Sequence, residues 1–158
     1  APGRARRDRL RAVDAARRSD ARAPLAWSLL NLAQLSAWAS DPISATQYAD
    51  SAEALLSAQS DLWGLGTLPT LRGEIARLVG DPVAARAHLA EGLKAAEAVG
   101  YPPGIVSLAT ALTSLELDEA RPAAGRPWLE LAQRTARAHG LAGWDRGLTY
   151  QTARLAIL

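Results

Sequence analysis

The chain has 158 residues, a formal net charge of +2 and no cysteine. Its length suits one domain with a continuous core, and the missing cysteine excludes disulfide frameworks, thiol catalysis and cysteine-based metal sites. No stretch approaches the apolar length of a membrane span and no secretory signal is visible, so a cytoplasmic protein is expected.

Prolines stand at positions 2, 42, 82 and 122, a step of forty without a slip. Self-similarity at a fixed period marks a repeat architecture. The same step carries Ala5, Ala45, Ala85 and Gly125 as one small column, and Ala12, Ala52, Gly92 and Ala132 as another. Leu25, Leu65 and Ile105 form a large apolar column, as do Leu35, Ile75, Leu115 and Leu155. Small residues in register let helices approach closely, and large ones fill the space between them.

In chain order, the first expected element is a helix over 3–20. Residues 1–23 carry eight Arg against Asp8, Asp14 and Asp20, a balance of +5, while the other 135 residues balance to −3. Arg4, Arg6, Arg7, Arg9 and Arg11 could form a nucleic-acid or membrane-surface patch. No aromatic residue among them could stack on bases, and Leu10 and Val13 make a poor membrane face. A solvated helix face is the preferred reading, with neither nucleic acid nor membrane expected as a partner. A helix over 24–39 follows, then one over 42–59 that Asp41-Pro42 starts with a capping carboxylate and a first-turn proline. Leu65, Leu68, Leu71, Ile75 and Leu78 give the helical period of 62–79. Pro69 inside it should kink it or delay its start. Asp81-Pro82 starts 82–99, where Ala85, Leu89, Gly92, Leu93, Ala96 and Val99 make one apolar stripe. Gly100 and Gly140 supply the left-handed conformation that ends helices. The remaining helices cover 102–118, 122–139 (with Pro127 another expected disturbance) and 141–158. No segment reads as a strand.

Each unit of forty thus reads as two antiparallel helices joined by a tight turn. The fold class is all-α, about eight helices in one repeat domain. Units cover about 24–61, 62–100 and 101–140, with half units at 1–23 and 141–158. The array opens on a second helix, closes on a first helix with the apolar run Leu155, Ala156, Ile157 and Leu158, and contains no Met. A piece excised from a longer protein is the expectation; the alternative is a self-contained domain that dimerises through its open end.

The small and large columns on helix pairs resemble the tetratricopeptide repeat. In the best unit Gly73 takes the small place on the first helix, Gly80-Asp81 the turn, Ala85 the small place on the second helix and Leu89 the large one. The unit before offers Leu32-Ala33, Ser40-Asp41, Ala45 and Ala49; the unit after offers Leu112-Thr113, Gly125 and Leu129. The resemblance implies a right-handed superhelix whose first helices line a concave groove. Trp27, Leu30, Asn31 and Gln34 would face that groove from one helix, and Thr70, Glu74 and Arg77 from the next. Ser107, Thr110 and Ser114 follow from the third, then Tyr150 and Arg154. Hydroxyls, amides and two Arg could hold a peptide backbone, a carboxylate terminus or a small polar inducer. The long Ala- and Leu-rich repeats also resemble the sensor arrays of large bacterial transcription regulators, such as the ATP-dependent LuxR-type activators and the antibiotic-regulatory proteins of actinomycetes. Seventeen of the eighteen basic residues being Arg, with abundant Ala, fits a GC-rich genome. These resemblances imply a protein-interaction module of a larger regulator, or a domain sensing a small inducer. Self-association through the uncapped ends is a further possibility.

Catalytic signals are sparse, and neither enzyme activity, metal nor cofactor is expected. His88 and His139 lack carboxylate company and the spacing of metal ligands. Glu116, Asp118 and Glu119 cluster where a capping role for Asp118 explains them. Gly64-Leu65-Gly66 lacks the third glycine of a dinucleotide loop, and no G-x-S-x-G occurs. Among the five tryptophans, Trp63 and Trp144 read as packing residues and Trp38 as an exposed anchor.

Overall fold

A computed structural model describes Arg7, Leu10 and Arg11 and residues 22–157, with the side chains of residues 22, 23, 62, 63 and 65 outside the description. The expected first helix, most of its Arg run and the packing role of Trp63 therefore lie outside the described residues. The described residues form seven helices: α1 (Arg22–Trp38), α2 (Pro42–Gln59), α3 (Leu62–Leu78), α4 (Pro82–Ala98), α5 (Pro102–Asp118), α6 (Pro122–Ala138) and α7 (Asp145–Ala156). No strand occurs among them.

A twenty-residue beat, half the sequence period, punctuates every turn. Ser40, Ser60, Gly80, Gly100, Ala120 and Gly140 all adopt positive φ, between 54° and 76°. At five of these ends the next residue's N–H returns to the carbonyl five residues back. Asp41 N–H donates to Ser36 O at 2.9 Å and Arg121 N–H to Glu116 O at 2.8 Å. Such closure satisfies carbonyls that the helix leaves without partners. Glycine adopts this conformation freely, whereas Ser40, Ser60 and Ala120 carry a side-chain penalty there. Pro42, Pro82, Pro102 and Pro122 each open a helix. Asp41, Asp61 and Asp81 cap theirs, accepting from Ser44, Gly64 and Ala84 N–H at 3.1, 3.0 and 2.8 Å.

Pro69 and Pro127 stand inside α3 and α6 without delaying or interrupting them; each costs one backbone bond inside a helix that packing holds together. Two expectations need correction. The last helix begins late, because Ala142–Trp144 form a 3-10 turn before α7 starts at Asp145. Asp118 does not cap α6: it is the last residue of α5, and α6 opens after Arg121 without a side-chain cap.

The chain divides into two compact units, residues 1–80 and 81–158. In unit 1, α2 packs against α1 and α3, which also touch each other. Its core joins Ala26, Leu29, Ala33 and Ala37 of α1 to Ala45, Ala49, Ala52 and Leu56 of α2, with Leu68, Leu71 and Ile75 of α3. In unit 2, α4, α5, α6 and α7 pack each on the next, and α5 also meets α7. There Val106 and Ala109 of α5 gather with Leu129, Ala132 and Ala136 of α6 and Leu148 of α7. The repeat columns explain both cores: Ala45, Ala85 and Gly125 are all buried, as are Ala52, Gly92 and Ala132.

Candidate interaction surfaces

Positions 34, 74, 114 and 154 share one column of the forty-residue repeat, always on a first helix and always polar: Gln34, Glu74, Ser114 and Arg154. In unit 1 the Gln34 Nε2 donates to Glu74 Oε2 at 2.6 Å, joining α1 to α3. In unit 2 the Arg154 Nη1 donates to Ser114 Oγ at 3.3 Å, joining α7 to α5. Partners forty residues apart meet only when successive first helices lie side by side, so each unit presents a polar ledge built from two of them.

The rest of each ledge is ordered by local bonds. Asn31 Nδ2 donates to Trp27 O at 2.7 Å, and the Trp27 indole donates to Asp61 Oδ2 at 3.1 Å. Asp61 thereby caps α3 with one oxygen and anchors α1 with the other. Thr70 and Glu74 are half-buried on α3, and Arg77 is exposed. In unit 2, Thr110 Oγ1 donates to Val106 O at 2.7 Å. Arg154 also donates to Asp118 Oδ1 at 2.7 Å and stands 5.8 Å over the exposed Tyr150 ring. The guanidinium is thus held by a hydroxyl, a carboxylate and an aromatic face. The expected groove residues fall into two sets: Trp27, Asn31, Gln34, Thr70, Glu74 and Arg77 in unit 1, and Thr110, Ser114, Tyr150 and Arg154 in unit 2.

Several of these partners left weaker traces in the sequence. Asp61 stands twenty residues from Asp41 and Asp81, so the half-period could have found it. Asp118 lies four residues before Pro122 and its partner Arg154 lies on another helix; no local pattern links them. Glu116, at the column of Ser36 and Ala76, is 3% exposed and accepts from Arg86 Nε at 2.6 Å, with Arg121 Nη2 2.8 Å from its other oxygen. A buried carboxylate needs such partners, since an unpaired charge there would be strongly destabilising.

Elsewhere, Arg72 of α3 bridges to Asp50 at 2.9 Å and to Glu53, both on α2. Burial works against its charge, but the hydrogen bonds it donates to Glu53 and Asp50 and their negative charge outweigh it, raising the guanidinium pKa. Burial pushes the Tyr101 hydroxyl above its ordinary range. Trp38 is 70% exposed, as an anchor would be, while Trp144 packs against the unit 2 core. His88 is half-buried and His139 exposed, and among the described residues no group of three His, Cys, Asp or Glu could hold a metal ion. No described helix is long and apolar enough to cross a membrane. The chain matches no protein-family model, no curated protein and no solved structure.

Proposed function

We propose that the chain is a non-catalytic interaction module, a tetratricopeptide-like helix-pair array serving a larger bacterial transcription or signalling regulator in the cytoplasm. The observation that carries this reading is the polar column Gln34, Glu74, Ser114 and Arg154, paired across neighbouring first helices in each unit. Helices that only had to pack would gain more from apolar residues at half-buried positions in register. A ledge of amides, carboxylates and hydroxyls instead offers donors and acceptors to an extended peptide, whose backbone presents both. The pairings also fix the side chains before a partner arrives, which lowers the entropic cost of binding.

A small polar inducer is the second reading, favoured by one observation. Arg154 sits with Tyr150, Ser114 and Asp118 in an arrangement where a compact carboxylate could compete for the guanidinium.

Peptide display on the immobilised chain tests the first reading. Selection on the wild type should enrich a sequence family that the double variant Glu74→Ala/Arg154→Ala fails to enrich, with helicity by circular dichroism unchanged. Enrichment of the same peptides by both proteins rejects the ledge as the binding surface. A thermal-shift screen of small carboxylates, with stabilisation lost in Arg154→Ala alone, would instead select the inducer reading.

A further inference from the structure

We infer that Glu74 is the receptor for a basic side chain, so that the peptide laid along the unit 1 ledge presents Lys or Arg there; this rests on reading the ledge as a peptide site. Three charged groups of the ledges differ in what offsets their charge. Arg154 of α7 donates to Asp118 Oδ1 at 2.7 Å, so the fold itself supplies the counter-charge. Asp61 accepts from Gly64 N–H at 3.0 Å and from the Trp27 indole at 3.1 Å, at the N-terminus of α3, where the macrodipole favours a carboxylate. Glu74 has neither advantage. It lies toward the other end of α3, four residues before Leu78, where the macrodipole is negative. Its Oε2 is held at 2.6 Å by the Gln34 amide, which brings no positive charge. The two Arg nearest along α3 do not compensate. Arg72 turns to Asp50 and Glu53 on α2, and among the described residues no ion pair joins the exposed Arg77 to Glu74.

The difference matters once the ledge is covered. Glu74 is half-buried, so its carboxylate still meets water on one side. A peptide lying over it takes that water away, and a carboxylate left under an interface with a neutral partner alone is strongly unfavourable. A Lys or Arg side chain removes the penalty: it neutralises the charge and donates to Oε1, which the Gln34 amide does not occupy. An acidic or apolar side chain at the same place leaves the carboxylate uncompensated, so the position selects against it. Arg154 makes no such demand, because Asp118 already meets it. Trp27, 37% exposed, and Asn31 share the α1 face with Gln34, and both are fixed by their own hydrogen bonds. The Trp27 ring offers apolar contact to the peptide residues that flank the basic one.

The probe is a random peptide library displayed on phage, selected in parallel on the full chain, on Glu74→Gln and on Glu74→Lys. Glu74→Gln keeps the size of the side chain and an oxygen for the Gln34 amide while removing the charge; circular dichroism checks that helicity is intact. The wild type should enrich peptides with a recurring Lys or Arg that Glu74→Gln does not enrich, and Glu74→Lys should enrich acidic peptides instead. One enriched peptide is then titrated by fluorescence anisotropy. Replacing its basic residue by Gln should weaken binding about tenfold, Glu74→Gln should do the same, and the two changes together should cost no more than either alone. The preference should shrink at high salt as screening shortens the range of charge. Enriched peptides that lack a recurring basic residue yet are lost in Glu74→Ala/Arg154→Ala overturn this inference and leave the ledge standing, and so do losses that simply add. Enrichment of no peptide, or of the same peptides by that double variant, rejects the ledge and this inference with it.

Discussion

The α1–α2 crossing in unit 1 and the α5–α6 crossing in unit 2 occupy the same repeat columns and solve the same packing problem differently. Unit 1 uses alanine on alanine, with Ala33 and Ala37 facing a helix that carries Ala45, Ala49 and Ala52, all buried. Unit 2 puts Thr113, Glu116 and Leu117 in the first helix and Leu129 in the second, then removes a side chain at Gly125 to make room. The turn changes with it. Asp41 caps α2 with its carboxylate, whereas Arg121 in the same column cannot accept a hydrogen bond and reaches back to Glu116 instead. A column therefore sets which positions are buried at the crossing. The volume and the chemistry at a position are free to change when its partner across the interface changes with it.

The largest test of this comparison is volume. Leu129→Ala, which copies Ala49 into unit 2, should destabilise the chain by about 3 kcal/mol in urea unfolding, because the larger neighbours of unit 2 cannot close the cavity. Near-zero cost would mean that the two crossings are interchangeable. Next comes charge. Glu116→Ala should cost about 2 kcal/mol, less than for a fully buried pair because Arg86 and Arg121 both reach water. Arg121→Asp, which copies the unit 1 cap, should also destabilise, since it sets a second carboxylate beside Glu116. A gain from Arg121→Asp would show that the cap outweighs the ion pair. Third, Asp41→Ala should cost about 1 kcal/mol by leaving the first turn of α2 without its acceptor. At the opposite sign, Ala120→Gly should stabilise by about 1 kcal/mol, measured as a rise in Tm, because glycine accepts the left-handed turn that alanine resists.

The smallest expected effect is in pH. Burial raises the Tyr101 pKa, so the folded chain holds that proton longer than the unfolded chain does. Its contribution is complete below the ordinary tyrosine range of about 10 and is lost as pH rises through the folded value. Tyr101→Phe should remove that part of the alkaline decline in stability. An unchanged alkaline limb in the variant would place the loss elsewhere.

The positions of the six helices from Arg22 to Ala138 and the small and large columns were legible in the sequence, because proline, glycine and aspartate punctuate locally and apolar spacing reports the buried face directly. The period of forty put Gln34 beside Glu74 and Ser114 beside Arg154, since side-by-side first helices bring equal columns together. The Glu116 cluster was misread because its partners lie thirty residues before and five after, and only the crossing of α4, α5 and α6 joins them. Asp118 was misread for the same reason: a carboxylate near a turn looks like a cap until Arg154 arrives from another helix. Local chemistry thus determined where the helices between Arg22 and Ala138 start, stop and face. Tertiary structure decided which charges are buried together, because that depends on what neighbouring helices bring to the contact.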